Sequence, residues 1–181
     1  MKKIILLFTF LVLSTGCMKK EIPTAEVKKF IDRYQMLDSA VVDDLNTSAK
    51  AEGLSTENTT LYVDAVKREY KHIKYKVLSE DITKDTAVVK VKLSVYDLYK
   101  AKEDASIYLK EHTEEFQKDG VYNEDMFLKY QLDKMKKTEK MIDYTAEFNL
   151  TKIDNKWIVN ELDGVTKEKL HGLYNYEKTN K

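Results

Sequence analysis

Residues 141–162 read MIDYTAEFNLTKIDNKWIVNEL, and this stretch decides the fold. Its first half alternates between apolar and polar side chains, a period of two that predicts a strand with one buried face. The apolar positions are Ile142, Tyr144, Ala146, Phe148 and Leu150. Asp154-Asn155-Lys156 has the composition of a tight turn, and Trp157 opens a second strand. We therefore predict a β-hairpin anchored by Trp157, in a sheet on which helices can pack.

The beginning of the chain has the pattern of an export signal. Two lysines follow Met1, residues 4–13 are almost wholly apolar, and Ser14-Thr15-Gly16 precede a cysteine. An apolar run of about ten residues is too short to span a bilayer, because a spanning helix needs about 20. A basic start, a short apolar run and small residues are typical of a secretory signal peptide.

The segment Leu13-Ser14-Thr15-Gly16-Cys17 resembles the lipobox of bacterial lipoproteins. The resemblance implies that signal peptidase II cleaves before Cys17 and that the thiol carries diacylglycerol. Cys17 is the only cysteine of the chain, so it has no partner for an internal disulfide. Because two or more lipid chains anchor a protein stably, we expect the chain on the outer face of a cell membrane. The alternative is an ordinary signal peptide that happens to contain a cysteine.

The charge of the chain argues against nucleic acid as a partner. The formal net charge is zero, and cleavage before Cys17 would remove Lys2 and Lys3 but no acidic residue. No basic field of the kind that nucleic-acid-binding domains carry therefore remains. The remaining length suits a single domain.

Apolar spacing divides the rest of the chain into helices and hairpins. Steps of three and four residues predict one long helix over residues 27–45, a loop over 46–58 and a second helix that ends near Ile73. A hairpin over 73–95 follows, with inward positions at Ala87, Val89, Val91, Leu93 and Val95. Asp97 and Asn123 are predicted N-caps of two further helices, separated by a polar stretch over 111–120. A short helix over 166–171 precedes the end of the chain.

This order, α-α-β-β-α-α-β-β-α, predicts an α+β domain with an antiparallel four-stranded curved sheet and helices packed on one face. The long first helix and the ending Phe148-x-Leu150-x-Lys152-x-Asp154-x-x-Trp157-x-Val159 resemble small NTF2-like or cystatin-like lipoproteins. The predicted organisation is a lipoprotein signal peptide (1–16), a lipidated tether (17–23), a single domain (24–173) and a loose polar tail (174–181). A helical-pair insertion (97–140) separates the two hairpins.

The insertion is expected to fold over the open face of the sheet. It would then bury Phe127, Tyr130 and Leu132 against Tyr75 or Tyr144. Tight closure of the insertion would fill the pocket between the insertion and the sheet. Loose closure would make the insertion a lid over that pocket. The carboxylates of the insertion could meet its lysines across the helix pair; the residues are Glu103, Asp104, Glu111, Glu114, Glu115, Asp119, Lys129, Lys134, Lys136, Lys137 and Lys140.

The sequence carries no motif for a cofactor, a metal ion or a catalytic residue. The glycines, at positions 16, 53, 120, 164 and 172, are too dispersed for a phosphate-binding loop. His72, His112 and His171 lack the spacing of a helical metal site, and no calcium loop is present. We therefore predict no cofactor, no metal site and no catalytic residue.

Two classes of function remain open. Tyr34, Tyr75, Tyr144 and Trp157 fall on predicted inward faces, where they either pack in the core or line a ligand pocket. The first class is a non-enzymatic envelope module that presents a groove or a sheet to a protein, a peptide or a cell-envelope ligand. The second is an enzyme of the NTF2-like class, of the isomerase or hydratase type.

The enzyme would need a carboxylate base and a Tyr or protonated acid inside an apolar pocket. The inward strand positions carry no Asp or Glu, and Asp143 and Glu147 fall on the polar face of the predicted strand. This pattern favours the binding module.

Overall fold

The computed structural model describes residues 22–177. The predicted signal peptide, Cys17 and most of the predicted tether lie outside the described residues. The helices of the described part are α1 (Pro23–Gln35), α2 (Ser39–Ala51), α3 (Thr56–His72), α4 (Leu98–Glu111), α5 (Glu124–Lys137) and α6 (Gly164–Leu170). The strands are β1 (Lys74–Ile82), β2 (Thr86–Tyr96), β3 (Gln117–Lys118), β4 (Val121–Tyr122), β5 (Met141–Ile153) and β6 (Lys156–Val159).

Four strands form one antiparallel sheet in the order β1-β2-β5-β6, and helices pack on it. The predicted α+β class is therefore confirmed. Strands β2 and β5 pair without a slip from Thr86 opposite Thr151 to Tyr96 opposite Met141. The inward positions Tyr144, Ala146, Phe148 and Leu150 are buried as the period of two predicts, and Ile142 is half-buried. Trp157 is only 7% exposed. Asp143 and Glu147 lie on the opposite face, where they pair with Lys92 and Lys90.

The predicted long first helix is two helices, because the chain breaks at Met36–Asp38. Leu37 has a φ of 53°, and the N–H groups of Leu37 and Asp38 donate to the carbonyls of Tyr34 and Arg33. This is the Schellman ending of a helix, with leucine where glycine is usual. The Asp38 side chain then caps α2 by accepting from the N–H of Ala40 at 3.0 Å. The predicted loop over 46–58 was also too long, since α2 runs to Ala51 and α3 starts at Thr56.

The main core lies between the sheet and helices α1, α2, α3 and α6. Val27 and Ile31 of α1 have no exposed surface, and neither has Val66 of α3. At its first turn α1 reaches β1, where the backbone N–H of Thr24 donates to Glu80 at 2.7 Å. The start of α1 is thereby held near the end of β1.

The insertion does not fold over the sheet as expected. Helices α4 and α5 instead make a second core against α3, formed by Ala65, Leu98, Ala101, Leu132 and Met135. Phe127 packs on Phe116 with ring centroids 5.5 Å apart, and Tyr130 packs on Tyr108 at 5.0 Å. The prediction that these rings contact Tyr75 or Tyr144 was wrong, because their aromatic partners belong to the insertion itself.

Residues 172–176 lie against the domain, and the last three of them belong to the segment predicted as a polar tail (174–181). Gly172 has a φ of 67° and touches the end of β2 so closely that a Cβ at this position would overlap the carbonyl oxygen of Tyr96. The ring of Tyr174 packs on Tyr144 at 5.6 Å, and the hydroxyl of Tyr176 donates to Asp97 at 3.1 Å. Residues 172–176 therefore cover the end of the sheet.

Candidate functional site

A pocket of about 310 Å³ opens where α3, α4, α5 and α6 meet the loop between α2 and α3. Leu132 and Met135 at its base are almost completely buried, whereas the other apolar walls are half-buried. The apolar lining residues are Leu54, Tyr62, Leu128, Leu132, Met135 and Leu173. The polar lining residues are Glu52, Lys102, Gln131 and Glu168. The pocket thus has an apolar floor and a polar rim.

A second pocket of about 500 Å³ adjoins the first and shares Glu52, Leu54 and Leu128 with it. It is formed by the α2–α3 loop, by Tyr122 of β4 and by the first turn of α5. Glu124 and Asp125 are its further acidic residues. We refer to the two adjoining pockets together as the interhelical groove.

Contacts along α3 hold α5 in place beside the groove. The amide of Asn58 donates to Asp125 at 3.0 Å, and Lys129 pairs with Glu57. Nearer the other end of both helices, the guanidinium of Arg68 donates to the carbonyl of Thr138 at 2.7 Å. Because α5 is attached to α3 at both ends, contacts within the protein hold the walls of the groove.

Exposed apolar side chains extend the second pocket outward. Val121, Tyr122 and Met126 are 68%, 45% and 41% exposed, and they lie within six positions of one another in β4 and the start of α5. Grouped large apolar side chains on a surface mark interaction sites more often than single ones. This end of the groove therefore has large apolar side chains at the surface.

A buried carboxyl group lies at the junction of α3 and the sheet. Glu69 has no exposed surface, and its Oε2 accepts from the backbone N–H of Tyr96 at 2.7 Å. Among the described residues its Oε1 has no hydrogen-bond partner. Burial raises the pKa of Glu69 from 4.5 to about 8, although the Tyr96 N–H and Arg68 act in the other direction. The raised pKa favours the protonated form of Glu69 near neutral pH.

His171 is a structural histidine paired with a tyrosine. Its Nε2 lies 2.9 Å from the hydroxyl of Tyr70, whose ring packs edge-on against Tyr34 at 5.0 Å. Burial lowers the pKa of His171 to about 4 and raises that of the Tyr70 hydroxyl, so both groups are neutral across the physiological range. Residues 22–177 contain no cluster of three or more His, Cys, Asp or Glu side chains that could hold a metal ion.

The four aromatic residues predicted to line a pocket occupy separate places in the main core. Tyr34 packs on Phe30 and Tyr70, and the hydroxyl of Tyr75 donates to Asp32 at 3.3 Å. Tyr144 donates to the carbonyl of Tyr174 at 3.4 Å, and Lys152 lies over the ring of Trp157. Within the described part of the chain, no ring contact joins two of the four, and none lines the interhelical groove. Their role as pocket-lining residues stays a prediction.

The charges of the insertion follow the expected pattern at one pair and depart from it at others. A third pocket of about 490 Å³ lies between α4 and α5, and there Lys140 pairs with Asp104 at 3.6 Å. Lys129 and Lys136 instead reach Glu57 and Asp64 on α3. Exposed pairs of this kind contribute little to stability, but they are directional contacts between helices.

Sequence reasoning missed the interhelical groove and Glu69. The groove residues come from five separate segments of the chain. Within its own segment, each of these residues resembles an ordinary core or surface position. Glu69 did carry a signal, because it lies three residues after Val66 and four after Ala65, on the apolar stripe of α3. A charged residue on such a stripe is a candidate for a buried titratable group.

The fold is that of an α+β domain, with a groove between its helices. The chain is similar to a crystal structure of a candidate lipoprotein, YcdA, from Bacillus subtilis, at 16% identity and a TM-score of 0.44. The match covers 76% of this chain and 46% of that protein, so the chain spans about half of its length. No family model and no curated protein matches the chain. No helix of residues 22–177 is both long and apolar enough to cross a membrane.

Proposed function

We propose that this chain is a lipid-anchored extracytoplasmic protein that acts as a non-enzymatic binding module, with the interhelical groove as its site. The observation that carries the proposal is an open groove between helices, whose first pocket has an apolar floor and a polar rim. Grooves of this kind are where proteins hold peptide helices and small ligands. A segment of an envelope protein or a peptide is the proposed partner.

The anchor is tested by the substitution Cys17→Ala. If Cys17 carries lipid, signal peptidase II should not process the variant, which should therefore keep residues 1–16, lack the diacylglycerol and shift out of the detergent phase on phase separation. Ser14→Leu should be processed like the wild type, because leucine is more usual at this position of the lipobox. Unchanged mass and partitioning of Cys17→Ala would contradict the proposal.

The groove is tested by site-specific photo-crosslinking in intact cells. A photoreactive phenylalanine analogue replaces Tyr122 at the groove, and in a control it replaces Ile158, which is 48% exposed on strand β6. We expect a discrete adduct from position 122 only, and its loss when Leu128→Trp fills the shared wall of the two pockets. The same adducts from both positions, or an adduct that survives Leu128→Trp, would count against the groove as the site.

The second candidate is a small enzyme of the NTF2-like class, and the buried Glu69 is the observation that favours it. A carboxylic acid that stays protonated at neutral pH can donate a hydrogen bond to a developing oxyanion. Under this alternative, a naphthol, which mimics an enolate, should bind the wild-type protein and not a Glu69→Leu variant that remains folded. Failure of the wild-type protein to bind the naphthol would remove the candidate.

A further inference from the structure

The rim of the interhelical groove is acidic in a chain whose formal net charge is zero. Four carboxylates line the two pockets, those of Glu52, Glu124, Asp125 and Glu168, against the single ammonium group of Lys102. A groove lined mainly by one sign of charge raises the local concentration of ligands of the opposite sign. The rim therefore carries an excess of negative charge.

Three of these carboxylates are not neutralised by the protein itself. Among residues 22–177, Glu52, Glu124 and Glu168 form no ion pair, and Asp125 accepts from the uncharged amide of Asn58. On the adjoining surface of the same helices, Glu57 and Asp64 do pair with lysines of α5. The unpaired carboxylates are thus concentrated at the groove.

We infer that the interhelical groove binds a cationic amphipathic peptide segment, an inference that rests on the proposed function as a binding module. The apolar face of such a segment would lie on Leu132 at the floor of the groove and on Leu54 and Leu128 in its walls. Its lysine or arginine side chains would reach the carboxylates of Glu52 and Glu168 at the rim. An amphipathic helix that lays its apolar face in a hydrophobic groove is a common mode of peptide recognition.

The exposed apolar side chains support a segment longer than the two pockets alone would take. Tyr122 lines the second pocket, and Val121 and Met126 lie beside it in the chain. These side chains would cover the apolar face of the peptide where it extends past the two pockets. The occupant is therefore a segment with an apolar stripe flanked by cations, not a single small cation.

The test uses the lipid-anchored protein purified in a neutral detergent. A fluorescein-labelled helical peptide of leucine and lysine is titrated by fluorescence anisotropy, with empty micelles as the blank. Two further peptides have the same leucine positions, with glutamate or glutamine in place of lysine. We expect the lysine peptide to bind at least about ten-fold more tightly than either, with an affinity that falls as salt rises.

Two triple variants separate the groove from the overall charge. The groove variant combines Glu52→Gln, Glu124→Gln and Glu168→Gln. The control variant makes the same change of charge at Glu111, Glu114 and Glu139, which are exposed and line neither pocket of the groove. We expect the groove variant to weaken binding about ten-fold or more and the control variant to change it less than about two-fold.

Each of the contrary outcomes has a definite meaning. Equal weakening by both triple variants would show general attraction to a negative surface and would overturn the inference. Preference for the glutamine or glutamate peptide, abolished by Leu128→Trp, would overturn the cationic ligand class and leave the groove as a binding site. If none of the three peptides binds, the inference falls, while the crosslinking experiment at position 122 still decides the proposed function.

Discussion

The carboxyl group of Glu69 accepts a hydrogen bond from the backbone N–H of Tyr96, with 2.7 Å between Oε2 and the nitrogen. This bond joins the last turns of α3 to the last residue of β2, and it places a titratable group in the protein interior. Its effect on stability depends on pH, because the pKa of Glu69 differs between the folded and unfolded chain.

Glu69 and His171 should make the free energy of unfolding depend on pH in opposite directions. Burial raises the pKa of Glu69 from 4.5 to about 8, so the free energy of unfolding falls as pH rises through that interval. Burial lowers the pKa of His171 from 6.5 to about 4, so the free energy of unfolding falls as pH drops through that interval. The two effects offset each other between 4.5 and 6.5, and Glu69 alone acts between 6.5 and about 8.

Glu69→Gln should remove the loss of stability on the alkaline side. The glutamine carbonyl can still accept from the Tyr96 N–H, and no carboxylate has to be kept buried and charged above the folded-state pKa. We expect the melting temperature of the variant to exceed that of the wild type at about pH 9 and to approach it at about pH 5. Circular dichroism melts across this range measure the effect, with Glu111→Gln as an exposed control. Parallel pH profiles of the wild type and Glu69→Gln would show that Glu69 is not the responsible group.

Gly172→Ala should destabilise the protein by more than the cost of a left-handed backbone. Gly53 provides the matched control, because its φ of 69° is almost the same as that of Gly172. A Cβ added at Gly53 would meet nothing within 4 Å, whereas a Cβ added at Gly172 would meet Tyr96. A left-handed conformation costs a non-glycine residue about 1–2 kcal/mol, and that should be the whole effect of Gly53→Ala. Denaturant titrations of both variants compare the two costs. Equal losses would mean that residues 172–176 shift without consequence.

Trp157→Ala should lower the melting temperature markedly. Truncation of a buried tryptophan costs about 3–5 kcal/mol, and a domain of this size loses about 2–4 °C for each kcal/mol. Ile158→Ala is the control, since the neighbouring side chain is 48% exposed and should change the midpoint little. A Trp157→Ala midpoint within about a degree of the wild type would contradict the buried anchor.

Hydrogen exchange should separate the helices of the insertion from their connection. Leu98, Leu132 and Met135 fix α4 and α5 to the second core, so the amides of both helices should exchange slowly. Residues 117–122 are exposed and form a two-residue ladder, so they should exchange faster. Mass spectrometry of the full chain resolves these segments. Equally fast exchange across 98–137 would instead show that the whole insertion detaches from α3.

The sheet was the most predictable part of the molecule because its signal is local. In β5 the alternation from Ile142 to Leu150 fixes which face is buried, and a slip of one residue would have reversed every side chain. Asp97 and Asn123 were equally local signals, and both side chains accept hydrogen bonds as N-caps. These features depend on residues close together in the chain.

The errors concern backbone conformation without a marker residue and contacts between distant segments. At Leu37 a leucine adopts the left-handed conformation that usually calls for glycine, so the end of α1 left no mark in the sequence. Helix α5 packs on α3, which is distant in the chain. The aromatic partner of Phe127 is in place only when residues 113–116 are folded. The groove likewise appears only when Leu54, Leu128 and Leu173 are brought together by the tertiary structure.

The contact between Thr24 and Glu80 fixes which end of the sheet lies beside the start of α1. The first turn of α1 is held at the far end of β1, beside the turn to β2, whereas α4 and α5 join the sheet at Tyr96 and Met141. Those two places are separated by most of β2, which at about 3.3 Å per residue spans roughly 30 Å. If Cys17 is in the bilayer, the few residues before Thr24 keep the turn between β1 and β2 close to the lipid headgroups. The ends of α4 and α5 that join the sheet would then be displaced toward the opposite end of the molecule.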